Sequence, residues 1–283
     1  MAPYAGGQVA KGGRVGILGN QDAMDTPFSI NAYTNTLIQD QQAKSVGDVL
    51  LNDPSVRVAR GFGNFQESYF IRGYLVFSDS VAYNGLYGLL PRQYIAAELF
   101  ERVEVLRGAN AFLNGSSPFG DGVGGAVSLL PKRAPNDPLN VVTAGWSSGN
   151  QQFVSADVAR RFGPDDRAGV RLNVSHRDGG TAINKESMEL GLVSLAFDWR
   201  GDDFRLSADV GYQSHKLNET RTNVTLSTAA GNQNFRVPRA PDSKHNWAQP
   251  YSYSNERDLF GTVRAEWDIN KQLTAYAAAG SRH

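Results

Sequence analysis

The sequence contains no cysteine, which excludes disulfide frameworks, thiolate metal sites and cysteine nucleophiles together. Histidine is scarce as well. His176, His215, His245 and His283 are the whole set, and no two stand three to five residues apart, so neither a helical metal-ligand pair nor a resident metal cofactor is expected. An excess of one charge is also missing: Lys+Arg total 28 and Asp+Glu total 28 over 283 residues, with an isoelectric point near 6.9. With no net field to gather phosphates and no basic patch, a nucleic-acid partner is not expected. Long apolar runs are absent too. Stretches such as Leu129-Leu130 and Ala277-Ala278-Ala279 fall far short of the ~18 residues a membrane helix needs. Met1 to Lys11 lacks the basic segment and apolar core of a signal peptide, so any such leader is expected to lie outside this sequence. Glycine, by contrast, is abundant at 30 residues, which favours turns and strands over long helices.

The character of the chain changes at Pro131-Lys-Arg-Ala-Pro-Asn-Asp-Pro138, where prolines interrupt any ladder or helix. Three parts are expected: an N-terminal extension over 1–13, a compact α+β domain over 14–133, and an all-β part over 134–283. In the α+β part, Thr34 to Leu51 reads as one or two short helices stopped by Asn52-Asp53-Pro54. Short strands are expected at Val56-Arg-Val58, Tyr69-Phe-Ile-Arg72, Ser80-Val-Ala-Tyr83, Arg102 to Arg107 and Gly125 to Leu130.

Past the boundary the pattern has a strict period of two, which a helix repeating every ~3.6 residues cannot use. Phe204, Leu206, Ala208, Val210 and Tyr212 point one way, and Arg205, Ser207, Asp209 and Gly211 the other. The same alternation recurs around Val142, Val154, Val170, Val193, Val263 and Ala275, predicting about seven antiparallel strands. Connections nearly alternate in length. Gly163–Asp166, Gly201–Asp203 and Asn270-Lys271 are tight, whereas Asp178–Met188 and Ser214–Arg257 are long and Ser147–Asn150 is a short exception. Outer-membrane barrels pair short periplasmic turns with longer external loops, and they carry aromatic girdles where Trp146, Trp199, Tyr212 and Trp267 would fall. A soluble β-sandwich or β-solenoid shares the alternation, but not the loop asymmetry or the small residues Ala208, Ala265, Ala275 and Ala277 on the apolar face.

Six motifs of the first part follow one order: Ser45-Val-Gly-Asp-Val-Leu50, Asp53-Pro-Ser-Val56, Phe70-Ile-Arg-Gly-Tyr74, Tyr83-Asn-Gly85, Glu101-Arg-Val-Glu-Val-Leu-Arg-Gly108 and Gly124 to Arg133. In that order they resemble the plug domain of TonB-dependent outer-membrane receptors. The resemblance spans residues 14 to 282 and is nearest the ferric-hydroxamate, ferrichrome-like siderophore receptors, helped by Asn246-Trp-Ala-Gln-Pro-Tyr251. It implies an α+β plug followed by the first strands of a transmembrane β-barrel, 22-stranded when complete, so about seven strands make this the N-terminal part. It further implies a cell outer membrane location, a ferric siderophore as ligand, with iron present only as part of it, and TonB with its inner-membrane complex and outer-membrane lipid as partners. Three departures stand against that pattern: the strand number, no clear TonB box before Val15, and Asn114-Gly115 where the family often has Tyr-Gly. Receptors for haem, cobalamin or a sugar, and a chain without transport, remain the alternatives. An enzyme is not expected, since no Gly-x-Ser-x-Gly elbow accompanies the histidines.

The resemblance places ligand contacts on two apical loops. Arg60, Phe62 and Phe65 belong to the first, Arg60-Gly-Phe-Gly-Asn-Phe-Gln66, and Tyr87, Arg92 and Tyr94 to the second. A coordinatively saturated ferric chelate offers oxygen acceptors and apolar edges, for which donors and aromatic walls suffice. Charged plug residues Arg72, Glu101, Arg102, Glu104 and Arg107 need partners when enclosed. The inward set Arg171, Asp209, Arg264 and Glu266 is their expected source. The glycine-rich run Gly120 to Gly125 lacks the Gly-Lys-Ser/Thr ending of a phosphate cradle and leads into a strand, so it reads as a tight turn.

Overall fold

In the computed structural model, which describes residues 2–60, 63–221 and 239–283, the elements fall into two groups. The first holds β1 (Gly12–Arg14), β2 (Asn20–Asp22), β3 (Ser29–Thr34), β4 (Val56–Arg60), β5 (Ser68–Ile71), β6 (Tyr74–Phe77), β7 (Ala82–Tyr83), β8 (Phe100–Arg107) and β9 (Gly125–Pro131). Three short helices join them: α1 (Asn35–Asp40), α2 (Val46–Leu50) and α3 (Ala111–Asn114). The second group is β10 (Leu139–Ser147), β11 (Gln151–Phe162), β12 (Ala168–Gly180), β13 (Ser187–Arg200), β14 (Phe204–Asn218), β15 (Tyr253–Asn270) and β16 (Leu273–Arg282).

The seven strands of the second group form one antiparallel meander, each pairing with the next. Its burial pattern is the reverse of a soluble sheet. Outward apolar residues such as Leu172, Val193, Leu195, Val210 and Val263 are 38–52% exposed, whereas the alternate Arg171, Asn173, Ser175 and Arg177 are 3–6% exposed. Polar side chains are enclosed because the first group packs against that face, and apolar ones are left bare as a lipid-facing surface requires. Nearer the long-loop end the inward residues Met188, Leu190, Leu192, Leu217 and Phe260 turn apolar and join the core of the first group, where Val46, Leu50, Ile71, Ile95, Phe100 and Leu129 are buried.

Two sequence expectations need correction here. The long connections are shorter than Asp178–Met188 and Ser214–Arg257, because β12 runs to Gly180, β14 to Asn218, and β15 resumes at Tyr253. Ladder hydrogen bonds continue beyond the apolar band, through Ser214, Lys216 and Arg257, where the hydrophobic signal has stopped. For the same reason Tyr212 sits within β14 and not at its end. It marks the edge of the apolar band that begins at Phe204, a span close to the ~9–11 residues of a tilted membrane strand. Trp199 and Trp267 lie at the opposite edge, beside the tight turns, in register with Leu206 and Phe204.

In the first group β3-β8-β9-β7 make a four-stranded sheet and β4-β5-β6 a three-stranded one. Helix α2 starts in a capping box: the Ser45 hydroxyl accepts from the Asp48 N–H at 3.2 Å, and the Asp48 carboxylate accepts from the Ser45 N–H at 3.0 Å. The strand expected over Ser80–Tyr83 shrinks to β7, because Ser78–Ser80 closes a 3-10 turn. Strands β1, β2, β3 and β6 had no clean period-two signal. Gly124 is confined by close approach, since a Cβ there would lie 2.1 Å from the Ile71 carbonyl oxygen.

Candidate ligand-binding site

A 390 Å3 cavity opens where the plug-like first group meets the long-loop end of the sheet. Three segments position its walls. The capping box of α2 brings in Lys44 and Asp48, the β4–β5 hairpin brings in Arg60, Glu67 and Tyr69, and the β10–β11 turn brings in Ser147 and Gln151. A register shift between Val58 and Arg60 re-aims the end of β4, and the Arg60 guanidinium lies over the Phe65 ring at 4.9 Å.

The Lys44 ammonium bridges the two groups, donating to Gln151 Oε1 at 2.5 Å and Ser147 Oγ at 3.2 Å. Glu67 is 4% exposed and accepts from the Tyr69 hydroxyl at 2.6 Å. Burial pushes its carboxyl up to about 8, and the negative charges of Asp48 and Glu256 add to the effect of burial. It is therefore mostly neutral at pH 7. Asp48 is engaged by the N–H groups of Lys44 and Ser45 at 2.9 and 3.0 Å. The cavity thus presents cations, a neutral acid and aromatic edges, a donor-rich surface for a ligand rich in oxygen acceptors.

Of the six residues expected to contact ligand, Arg60 and Tyr94 line this cavity and Phe65 covers Arg60. Phe62 lies outside the described residues. Tyr94 is 2% exposed and forms part of the junction with the sheet: its hydroxyl donates to the Lys44 carbonyl at 2.6 Å and accepts from Arg177 at 3.2 Å, and its ring stacks on His215 at 4.6 Å. Tyr87 and Arg92 are placed elsewhere. The Tyr87 hydroxyl reaches the Asn114 carbonyl at 3.4 Å, and Arg92 pairs with Asp79 at 2.8 Å. Lys44, Glu67 and Gln151 went unnoticed in sequence; the Ser-Val-Gly-Asp capping box, which fixes the backbone just after Lys44, was the one available signal.

The charged residues of the plug-like group divide in a way sequence did not show. Glu101 reaches the sheet, pairing with Arg171 at 3.1 Å. Arg102 pairs instead with Glu104 at 2.7 Å, Arg107 with Asp53 at 2.8 Å, and the Arg72 N–H with the Ser55 carbonyl at 2.9 Å. Arg102 and Arg107 stay within their own group on β8, an inner strand flanked by β3 and β9, whereas Arg72 lies in the β5–β6 turn. Further contact with the sheet falls to residues outside this charged set, such as Glu98, which pairs with Arg177 at 2.5 Å, and to residues after β9. Lys132 donates to Asp157 at 2.9 Å and Asn173 at 3.0 Å, and Arg133 pairs with Asp209.

Comparison with known proteins agrees with the fold. Residues 22–122 match the TonB-dependent Receptor Plug Domain family. The ferrichrome receptor FcuA of Yersinia enterocolitica is 45% identical over 98% of this chain and 36% of its own length. The vitamin B12 transporter BtuB of Photobacterium profundum is 30% identical over 86% of this chain and 40% of its own length. Among solved structures, BauA, the ferric preacinetobactin receptor of Acinetobacter baumannii, superimposes with a TM-score of 0.92 at 38% identity, covering 99% of this chain and 41% of BauA. The chain therefore spans well under half the length of these relatives.

Proposed function

With a TonB-dependent receptor plug followed by the first barrel strands of that family, the chain belongs to the TonB-dependent receptors, and we propose that it binds a ferric siderophore of the hydroxamate class for uptake across the outer membrane. It resides in the outer membrane, its bare apolar band facing lipid. The observation that carries the ligand reading is the donor-rich cavity of Arg60, Lys44 and neutral Glu67 at the long-loop end of the sheet. A saturated ferric trihydroxamate displays oxygen acceptors without open metal positions, so cationic donors and aromatic edges are the complementary chemistry. Its named relatives are receptors and transporters, and we read this chain too as a binding and transport protein, not an enzyme. TonB is the proposed periplasmic partner, acting on the plug, and iron enters as cargo within the chelate.

Titration of ferrichrome into the detergent-solubilised protein, followed by quenching of intrinsic fluorescence, tests the site. Arg60→Ala is expected to weaken binding about tenfold or more, the loss of one charge-assisted contact. Unchanged affinity in that variant removes Arg60 from the site. Absence of binding by the parent protein counts against the hydroxamate class itself.

A further inference from the structure

At the tight-turn end of the sheet, away from the ligand cavity, a 240 Å3 cavity lies between β1, the end of β9 and strands β13 to β15. Arg14, Arg133, Arg200, Arg205 and Arg264 line it, against the carboxylates of Asp198 and Glu266. Four of these arginines have a carboxylate partner: Arg133 pairs with Asp209, Arg200 with Asp198 at 3.1 Å, Arg205 with Glu266 at 3.2 Å and Asp268 at 2.5 Å, and Arg264 with Glu266 at 2.7 Å. Arg14 is different. Its backbone N–H donates to Glu104 at 3.0 Å, but its guanidinium makes no hydrogen bond or ion pair among the described residues.

Arg264 is 7% exposed and lies over the Tyr276 ring at 4.4 Å. It donates to Glu266 through Nε, and its two terminal nitrogens make no hydrogen bond among the described residues. Burial and the nearby Arg264 charge push the Arg14 guanidinium below its ordinary value, only partly offset by the carboxylates of Glu266 and Glu104. Glu266 is engaged by Arg264 and Arg205, so the guanidinium of Arg14 and the terminal nitrogens of Arg264 leave the cavity with more cationic donors than paired carboxylates. A guanidinium fork is shaped for paired oxygens of a carboxylate or phosphate.

We propose that this cavity is an oxyanion site in which a carboxylate or phosphate group bridges Arg14 of strand β1 to Arg264 of the barrel wall. The site is independent of the siderophore reading, because none of these residues lines the ligand cavity. Its consequence follows from linkage: an anion that binds only when both arginines are in place stabilises the docking of β1 against the wall.

The test titrates inorganic phosphate, and in a parallel arm citrate, into the full chain in detergent, with ionic strength held constant by chloride. Calorimetry reads binding, and hydrogen exchange of residues 12–14 reads the docking of β1. Saturable binding with slowed exchange is expected, weakened about tenfold or more by Arg14→Gln, since one charge-assisted pair is lost. Saturation by phosphate supports the site with a free inorganic anion as ligand, and saturation by citrate alone supports it with a carboxylate-bearing ligand. Arg14 is only half-buried and outside the membrane-spanning strands, so its variant is expected to fold; a parent-like circular dichroism spectrum checks this. Failure of both anions to saturate the parent, or equal affinity in Arg14→Gln, overturns the proposal.

Discussion

Asp53→Ala is expected to loosen the plug by about 3–5 kcal/mol, the usual cost of removing one partner of a buried ion pair. Asp53 is fully buried, and donors from two strands and a turn converge on its carboxylate. Arg107 of β8 donates from Nη2 at 2.8 Å, Asn31 and Tyr33 of β3 at 3.1 and 3.3 Å, and Ser55 from its N–H at 2.9 Å and its hydroxyl at 2.7 Å. Alanine leaves the Arg107 guanidinium, 19% exposed, facing the same enclosure without a counter-charge. Asp53→Asn keeps the shape and an acceptor oxygen and is expected to cost less, on the order of 1–3 kcal/mol, the range for an unsatisfied buried polar group. The readout is hydrogen exchange of residues 29–34 and 100–107, which sit on the two strands the carboxylate ties together. Exchange within about 0.5 kcal/mol of the parent, the range of ordinary surface substitutions, sinks the prediction. A pH arm follows from the same contacts. Burial raises the Asp53 carboxyl, but hydrogen bonds from Arg107 and Ser55 outweigh it and hold the group below the usual carboxylate value. A lowered folded value means that this stability is present above about pH 4, the unfolded range, and is lost as pH falls through the folded value.

The membrane-facing half was legible in sequence because a period of two is a local property: Phe204 to Tyr212 reveals its two faces without reference to any other strand. What was not legible lay beyond the apolar band, where β14 and β15 continue through polar residues on hydrogen bonds that hydropathy does not register. The site shows the same division. Arg60, singled out by the resemblance of its glycine-punctuated loop, does line the cavity, but the fate of Tyr94 depends on Arg177, Gln213 and His215, distant residues that meet it only once β12 and β14 wrap the plug. Tyr87, Arg92 and Tyr94 look alike in sequence, as polar or aromatic members of one loop. Packing separates them, placing one against Asn114, one on Asp79 and one in the wall. The charges of β8 carry a similar lesson: alternation along Glu101 to Arg107 says which residues share a face but not which neighbour covers it, and the bulge between Phe100 and Arg102 shifts even that.

Glu67→Gln is expected to stabilise the plug at neutral pH and to flatten its pH dependence. Burial raises the Glu67 carboxyl from 4.5 to about 8 against the opposing hydrogen bond from Tyr69, with like charge on Asp48 and Glu256 adding to burial. A folded value above the unfolded one means that the native plug holds a proton the unfolded chain has released. Its stability is therefore undiminished below about pH 4.5, falls as pH rises, and levels off only above about pH 8. Each pH unit inside that window costs about 1.4 kcal/mol, so the penalty carried by this one group at pH 7 is on the order of 3 kcal/mol. Glutamine is nearly isosteric, accepts the Tyr69 hydroxyl through its carbonyl, and cannot ionise. Hydrogen exchange of the plug core measured at pH 5 and pH 7.5 should show stability dropping in the parent and nearly constant in the variant, the two converging at the acidic end. Parallel losses in both proteins would mean that Glu67 is ionised in the folded plug. The substitution also separates charge from shape at the ligand cavity: because the parent carboxyl is already mostly neutral at pH 7, siderophore affinity is expected to match between the two proteins there and to diverge only above pH 8, as the parent gains a negative charge among the acceptor oxygens of its ligand.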